Sequence, residues 1–369
     1  MFFSASGIFL WMGAAVFASI TAFGVVLYPQ ITLRIKKRPL ERVFELPDVA
    51  VIIPAYNEEK TIGEKLKNVL ELDYPKEKLE VFVVDNGSDK TSEVAGQFHV
   101  QVLRSERGKI KAINKGIECA KSDIIIVTDA DALISRNSVR SMVSYLAGGV
   151  GLVNGFTIPK PDDLAKEDSF IKGKISYRKK EWLLRYEEGL IDSMCNAEGR
   201  LMAFRKSVVP KIPEDWLTDD YALTFFIRGK GLRLVVDKDA FVYDEFPSSS
   251  GGEIKQFRRY AFDILSTNFK NVKFLFNPGY GYFGMMTFPF RRFFPLFYPL
   301  FMIYFLFCIY LLSPLLAAAS FFAGVLFLLI FSRLVFLQII SILIAYIDFL
   351  LSIFGKNNLK GGKWHTKRT

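Results

Sequence analysis

The stretch VAVIIPAYNEE, residues 49–59, is an aliphatic run that stops abruptly at polar side chains. Val49–Ile53 shows no apolar–polar alternation, the mark of a strand covered on both faces. Behind it come Pro54 and then Tyr56, Asn57, Glu58 and Glu59. The pattern recurs twice. Val81–Val84 runs into Asp85-Asn86-Gly87-Ser88-Asp89-Lys90-Thr91, and Ile124–Val127 runs, one residue later, into Asp129-Ala130-Asp131. Between these runs, Ile62, Leu66, Val69 and Leu70 fall at helical spacing, as do Ala112, Ile113, Gly116 and Ile117. Strand, helix, strand in succession predicts an α/β fold with a Rossmann-like sheet, whose ligands bind beyond the C-terminal ends of the strands. The chemistry is therefore expected just after Ile53, Val84 and Val127.

Outward from this block the chain turns apolar at both ends. Gly7 to Tyr28 carries no charge and is long enough to span hydrocarbon. No basic residue precedes it, whereas Arg34, Lys36, Lys37, Arg38 and Arg42 follow. That order predicts an uncleaved anchor with everything after Arg34 on the cytoplasmic side. Toward the other end, Phe293–Leu312 reads as a span, Ser313-Pro314 as a turn and Leu315–Ser332 as a return. Leu334–Phe354 is either a third span or an interfacial helix. The interfacial form keeps the basic tail, Lys356 to Arg368, on the cytoplasmic side.

Charge follows the same division. The chain has 48 basic and 38 acidic side chains, a net charge of +10, and residues 250–369 alone hold 13 basic against 3 acidic. A basic, aromatic-rich region beside apolar runs fits anionic lipid headgroups; without a nucleic-acid motif, nucleic acid is not expected as a partner. Three cysteines without metal-type or paired spacing, and two histidines, argue against a zinc site or a disulfide scaffold.

Each strand-end cluster has a bland explanation, since Asn, Asp and Gly make turns and Ser88 or Asp89 can cap a helix. Their gathering at one edge of one sheet favours chemistry. Asp129 and Asp131, two residues apart at a strand end, can converge on Mg²⁺ or Mn²⁺, whose remaining ligands are typically phosphate oxygens. Arg107-Gly108-Lys109 opens the helix that carries Lys111, Asn114 and Lys115, either an anion site at a helix start or a solvated basic face. Asp219-Asp220 supplies a distant second acidic pair, and transfer to a hydroxyl needs a carboxylate free to take a proton. Gln256-Phe257-Arg258-Arg259-Tyr260 lies on an amphipathic stretch, either an interfacial helix or a phosphate-gripping and stacking element.

Taken together, these segments resemble the family-2 inverting glycosyltransferases of the membrane-integrated branch, which includes hyaluronan, chitin, cellulose and poly-N-acetylglucosamine synthases. The likeness runs from about Val49 to Tyr260, with an echo in Trp364-His365-Thr366-Lys367-Arg368. It implies a GT-A type domain using a nucleotide-diphospho-sugar, by resemblance a UDP-sugar. Pro54, Tyr56, Glu58, Asp85, Lys109 and Asp129 would hold the nucleotide and its diphosphate. Asp131 with Asp129 would hold the metal. Asp220 would be the catalytic base, and Asp219, Gly199, Gln256, Arg259 and Tyr260 would face acceptor or diphosphate. Two positions depart from the family pattern: the Asp85–Thr91 loop is one residue short, and Tyr260 stands where a Trp is usual.

The expected organisation is an anchor (1–30), a basic linker (31–47), a catalytic domain (48–250), interfacial helices (251–292), a membrane region (293–354) and a basic tail (355–369). The expected protein is a multi-pass cell-membrane enzyme with its catalytic domain cytoplasmic. Its partners would be the nucleotide-sugar, membrane lipids, and a growing glycan or a lipid-linked acceptor such as a polyprenyl phosphate. With so few spans, chain export would call for a homo-oligomer. A membrane-anchored nucleotide-binding protein without catalysis is the reading from another class.

Overall fold

The computed structural model describes residues 5–159, 169–244, 251–331 and 333–353. Their contacts divide into two compact units. One comprises 36–159 and 178–244; the other comprises 5–35, 169–177, 251–331 and 333–353.

The first unit is built on one mixed sheet of eight strands. They are β1 Val49–Ala55, β2 Leu79–Asp85, β3 Gln101–Arg104, β4 Ile124–Thr128, β5 Leu133–Ile134, β6 Val150–Pro159, β7 Leu201–Arg205 and β8 Arg233–Asp244, in the order β3-β2-β1-β4-β7-β6-β8-β5. The aliphatic runs become the parallel centre: β1 pairs with β2 and β4 in parallel, and every residue of β1 and β4 is buried. Side chains alternate between two cores, as the strand period requires. Val49, Val51 and Ile53 join Val81, Val83, Ile124 and Ile126 on one face, under the Ile62–Leu70 and Ser138–Ser144 helices. Ala50 and Ile52 join Phe82, Val84, Ile125 and Val127 on the other, under the Lys109–Cys119 and Asp219–Gly229 helices and Trp182 of the Ser169–Ile191 helix.

The antiparallel strand β7 brings the later motif to the earlier ones. It pairs Thr128 with Leu201, so the residues just before β7 lie beside those just after β4. The Asp129 amide donates to the Arg200 carbonyl (3.3 Å) across this junction.

In the second unit, Leu10–Arg34 and Phe283–Leu312 are helical stretches of 25 and 30 residues, long and apolar enough to cross a membrane. The helical run begins at Phe283 with π-type turns around the internal Pro289, earlier than the Phe293 expected from the sequence. Proline has no amide hydrogen to donate, and the wider turn takes up that interruption. The two stretches pack through Phe17 stacked on Phe301 at 4.2 Å and the Tyr304 hydroxyl donating to the Leu10 carbonyl at 3.1 Å. The Pro314–Phe331 and Arg333–Ile353 helices follow Ser313, whose extended backbone is the one favoured before a proline. Arg258 on the Gly251–Lys270 helix forms a two-pronged pair with Asp348 on the last of these, Nε to Oδ2 at 2.5 Å and Nη2 to Oδ1 at 2.6 Å. A carboxylate held this way suits a helix packed against a polar neighbour better than one facing lipid.

Candidate active site

The site is assembled at the C-terminal ends of β1, β2 and β4. The first two loops interlock. Asn57 takes a left-handed backbone conformation (φ 57°), and its Oδ1 accepts the Ser88 amide at 2.9 Å. The Glu58 amide donates to Thr91 Oγ1 at 2.8 Å, and the Glu59 amide to Asp89 Oδ2 at 3.0 Å. Asp89 also accepts the Thr91 amide (3.0 Å) where the Thr91–Ala95 helix begins, whose N-cap position is Lys90, so one carboxylate ties both loops. The Glu58 carboxylate accepts from Thr61 Oγ1 at 2.7 Å, and Arg107 lies over the Tyr56 ring, 5.0 Å from its centroid.

Gly87 fits only because it has no side chain. A Cβ there would lie 2.6 Å from both the Asn57 amide nitrogen and its Oδ1. Gly87→Ala must therefore push backbone apart, and overpacking of this kind costs about 1–3 kcal/mol. Thermal unfolding of the variant should show that loss together with weaker nucleotide binding, and unchanged behaviour in both would contradict the tight junction.

Pro54 is buried within β1, paired with Val84. Asp85, at the end of β2, is fully buried and its carboxylate is engaged inside the chain. Oδ1 accepts the Gly87 amide (2.8 Å), and Oδ2 accepts Ser92 Oγ (2.5 Å) and faces Arg104 Nη1 at 3.0 Å. It frames the loop that a nucleotide would meet.

The acidic residues gather on Lys109. Gly108 (φ 135°) precedes the Lys109–Cys119 helix, and the Lys109 ammonium lies 2.7 Å from Asp129 Oδ1 and 3.3 Å from Asp219 Oδ2. The expected open anion site at this helix start is thus occupied by two carboxylates of the chain itself. Burial works to lower the Lys109 pKa, but the charges of Asp129 and Asp219 outweigh it and the ammonium is held protonated. Burial, against the pull of Lys109 and with repulsion from Asp131 and Asp219, raises the Asp129 pKa. Asp131 is half-buried beyond it.

Asp219 and Asp220 divide their surroundings. Both open the Asp219–Gly229 helix; Asp219 is buried against Lys109, whereas Asp220 is half-buried. Asp220 Oδ1 accepts the Tyr221 amide at 2.8 Å. Burial and the neighbouring Asp219 charge push Asp220 up to about 6, Lys109 opposing them. Gly199 completes the group: a Cβ on it would meet Lys109 Nζ at 2.8 Å and Asp219 Oδ2 at 3.2 Å. Next to it, Glu198 pairs with Arg178 and Arg200 at 3.1 Å each and with Arg185 at 3.6 Å, while Asn154 brackets its backbone.

Thus Asp129, Asp219, Lys109 and Gly199 meet, with Asp220 and Asp131 at the margins, and Pro54, Tyr56, Glu58 and Asp85 lie along the same sheet edge. Gln256, Arg259 and Tyr260 belong to the Gly251–Lys270 helix of the other unit. The side chains of Gln256 and Arg259 lie outside the described ones, and Tyr260 is exposed. The tail motif from Trp364 to Arg368 also lies outside the described residues.

Sequence reasoning missed Lys65, which is wholly buried beneath the Asp129–Asp131 turn. Its Nζ donates to Thr128 Oγ1 at 2.8 Å and to the Ala132 carbonyl. Burial brings its pKa down to about 7, against the opposing charges of Asp129 and Asp131. The clue was present in the spacing: position 65 falls on the inward stripe with Ile62, Leu66 and Val69, while Leu70, expected there, is only half-buried.

Among the described residues no three His, Cys, Asp or Glu side chains form a metal cage. Asp129 and Asp131 are hard oxygen donors, a partial set that fits a divalent cation sharing its shell with phosphate.

The chain is similar to known glycosyltransferases. Poly-beta-1,6-N-acetyl-D-glucosamine synthase of Staphylococcus aureus is 28% identical over 247 residues, covering 63% of this chain and 58% of its own length. A probable glycosyltransferase of Bacillus subtilis, YdaM, is 27% identical over 229 residues, covering 57% of this chain and 53% of its own. The chain therefore spans somewhat over half the length of these curated relatives. Among solved structures, a mannosyltransferase from Pyrobaculum calidifontis, in complex with GDP-mannose and Mn²⁺, shares the fold with a TM-score of 0.74 and 23% identity, over 92% of this chain and 99% of that one. The glycosyl transferase family 2 model matches residues 50–208, the stretch that carries the interlocked loops, Asp129, Asp131 and Gly199. That segment is a glycosyl transferase family 2 domain on a GT-A fold.

Proposed function

We propose that this protein is a membrane-anchored inverting glycosyltransferase that moves a sugar from a nucleotide-diphospho-sugar, a UDP-sugar on resemblance, to a hydroxyl of a growing glycan. One observation carries the reading: acidic side chains from just after β4 and from the Asp219–Gly229 helix converge on Lys109, and the half-buried Asp220 beside them is pushed up to about 6.

In the proposed reaction Asp220 takes the proton of the acceptor hydroxyl. The freed oxygen forms a bond to the anomeric carbon from the face opposite the diphosphate, and the carbon–oxygen bond to the diphosphate breaks with its electron pair leaving on that group. Asp219 and Lys109 fix the helix start that presents Asp220. Asp129 and Asp131 would hold Mg²⁺ or Mn²⁺, which as a Lewis acid offsets the charge gathering on the departing diphosphate.

A base must be unprotonated to act, so the acid side of the rate profile is set by Asp220. As pH falls through about 6, kcat should drop, approaching tenfold for each further unit. A flat profile down to pH 5 would remove Asp220 from this role.

Two helices able to cross a membrane also favour a second acceptor, a lipid-linked one such as a polyprenyl phosphate or glycolipid. Purified full-length protein given labelled UDP-sugars and GDP-sugars, Mn²⁺ and membrane lipid distinguishes the two by product size. A high polymer supports glycan extension, a single-sugar lipid supports the lipid acceptor, and no transfer from any donor contradicts the function.

A further inference from the structure

We propose that Lys65 is a positioning residue for the divalent cation, clamping the Asp129-Ala130-Asp131 turn from inside the fold. The proposal rests on the metal assignment made above for Asp129 and Asp131. The two acceptors of the Lys65 ammonium, Thr128 Oγ1 at 2.8 Å and the Ala132 carbonyl, flank that tripeptide on either side. One turn further along the same helix, Asn68 makes a second clamp: its Nδ2 donates to the Ile134 carbonyl at 2.8 Å and its Oδ1 accepts the Ile134 amide at 2.9 Å. A single helix face thus holds both the turn and the short strand leaving it.

Packing alone does not account for a lysine at this place. Thr128 and Lys65 are both fully buried, in a layer otherwise made of Ile62, Leu66 and Val69. Taking an ammonium out of water is unfavourable, and an apolar side chain of similar volume would fill the space with less penalty. What the ammonium adds is directional bonds to the turn and a positive charge behind two carboxylates that repel one another. It thereby keeps Asp129 and Asp131 aimed at one point. Outer partners of this kind typically alter metal affinity by about 10–100-fold when removed.

The test uses full-length protein in detergent with Mn²⁺ and UDP, following the free Mn²⁺ signal by electron paramagnetic resonance, with thermal unfolding as the control for folding. Wild type should bind one Mn²⁺, and Asp131→Asn should abolish that binding. Lys65→Met and Thr128→Val should each weaken it about 10–100-fold while unfolding cooperatively. If Lys65→Met does not fold, Thr128→Val, which keeps the lysine, decides. Mn²⁺ binding by the folded variants as tight as, or tighter than, wild type would overturn the clamp, tighter binding being what mere charge repulsion between Lys65 and the cation predicts. Absence of Mn²⁺ binding by wild type, or its survival in Asp131→Asn, would instead overturn the metal assignment itself.

Discussion

Asp220→Asn is expected to lower kcat by about 10²–10⁴-fold, the usual contribution of a positioned general base, with little change in donor KM. The amide retains the shape of the carboxylate and can still accept the Tyr221 amide through its oxygen, so the start of the Asp219–Gly229 helix stays formed. The same substitution should raise the melting temperature at neutral pH. Burial and Asp219 lift the Asp220 pKa above its ordinary value. The ionised form is therefore disfavoured in the fold relative to the unfolded chain, and above pH 6 its charge works against folding. An enzyme that becomes slower and more stable on losing one charge carries that charge for its chemistry. Steady-state kinetics and thermal unfolding on the same preparation check both halves. Near-wild-type turnover would transfer the role of base to another group.

Much of this could be read from the chain because parallel strands buried on both faces are written as unbroken aliphatic runs. Val49–Ile53, Val81–Val84 and Ile124–Val127 became the cores of β1, β2 and β4, and the polar residues behind each became the site edge. The pairing of distant segments was not written locally. Nothing in Leu201–Arg205 says that it runs antiparallel beside β4, yet that pairing sets Gly199 against Lys109. Lys109 itself shows the limit of local rules. A basic residue at a helix start signals an anion, and the anions it meets are Asp129 and Asp219, supplied by other elements. Lys65 was hidden for the opposite reason: a lysine in an amphipathic helix is ordinarily solvated, and only its phase with Ile62, Leu66 and Val69 marked it as buried. Gln256, Arg259 and Tyr260 are a motif in sequence, but they lie on a helix of the second unit, so their part in the reaction rests on resemblance alone.

Asp131→Ala and removal of the divalent cation should have matching effects, each lowering turnover about 10³-fold, since several kcal/mol of charge stabilisation would be withdrawn from the departing diphosphate. Chelation of wild type should be reversible on adding Mn²⁺ or Mg²⁺, whereas Asp131→Ala should respond to neither. Asp129→Ala provides the contrast. Asp129 lies 2.7 Å from Lys109, and its loss removes one of the carboxylates that hold that ammonium, Asp219 being another at 3.3 Å. Removing one member of a half-buried ion pair leaves its partner partly desolvated and costs stability. Asp129→Ala should therefore lose melting temperature as well as activity, and more of it than Asp131→Ala. The two carboxylates would then be separable although they stand two residues apart, Asp129 carrying more of the fold's stability through Lys109. If chelation left transfer at full rate, or if Asp131→Ala lost stability as steeply as Asp129→Ala, that division between them would not hold.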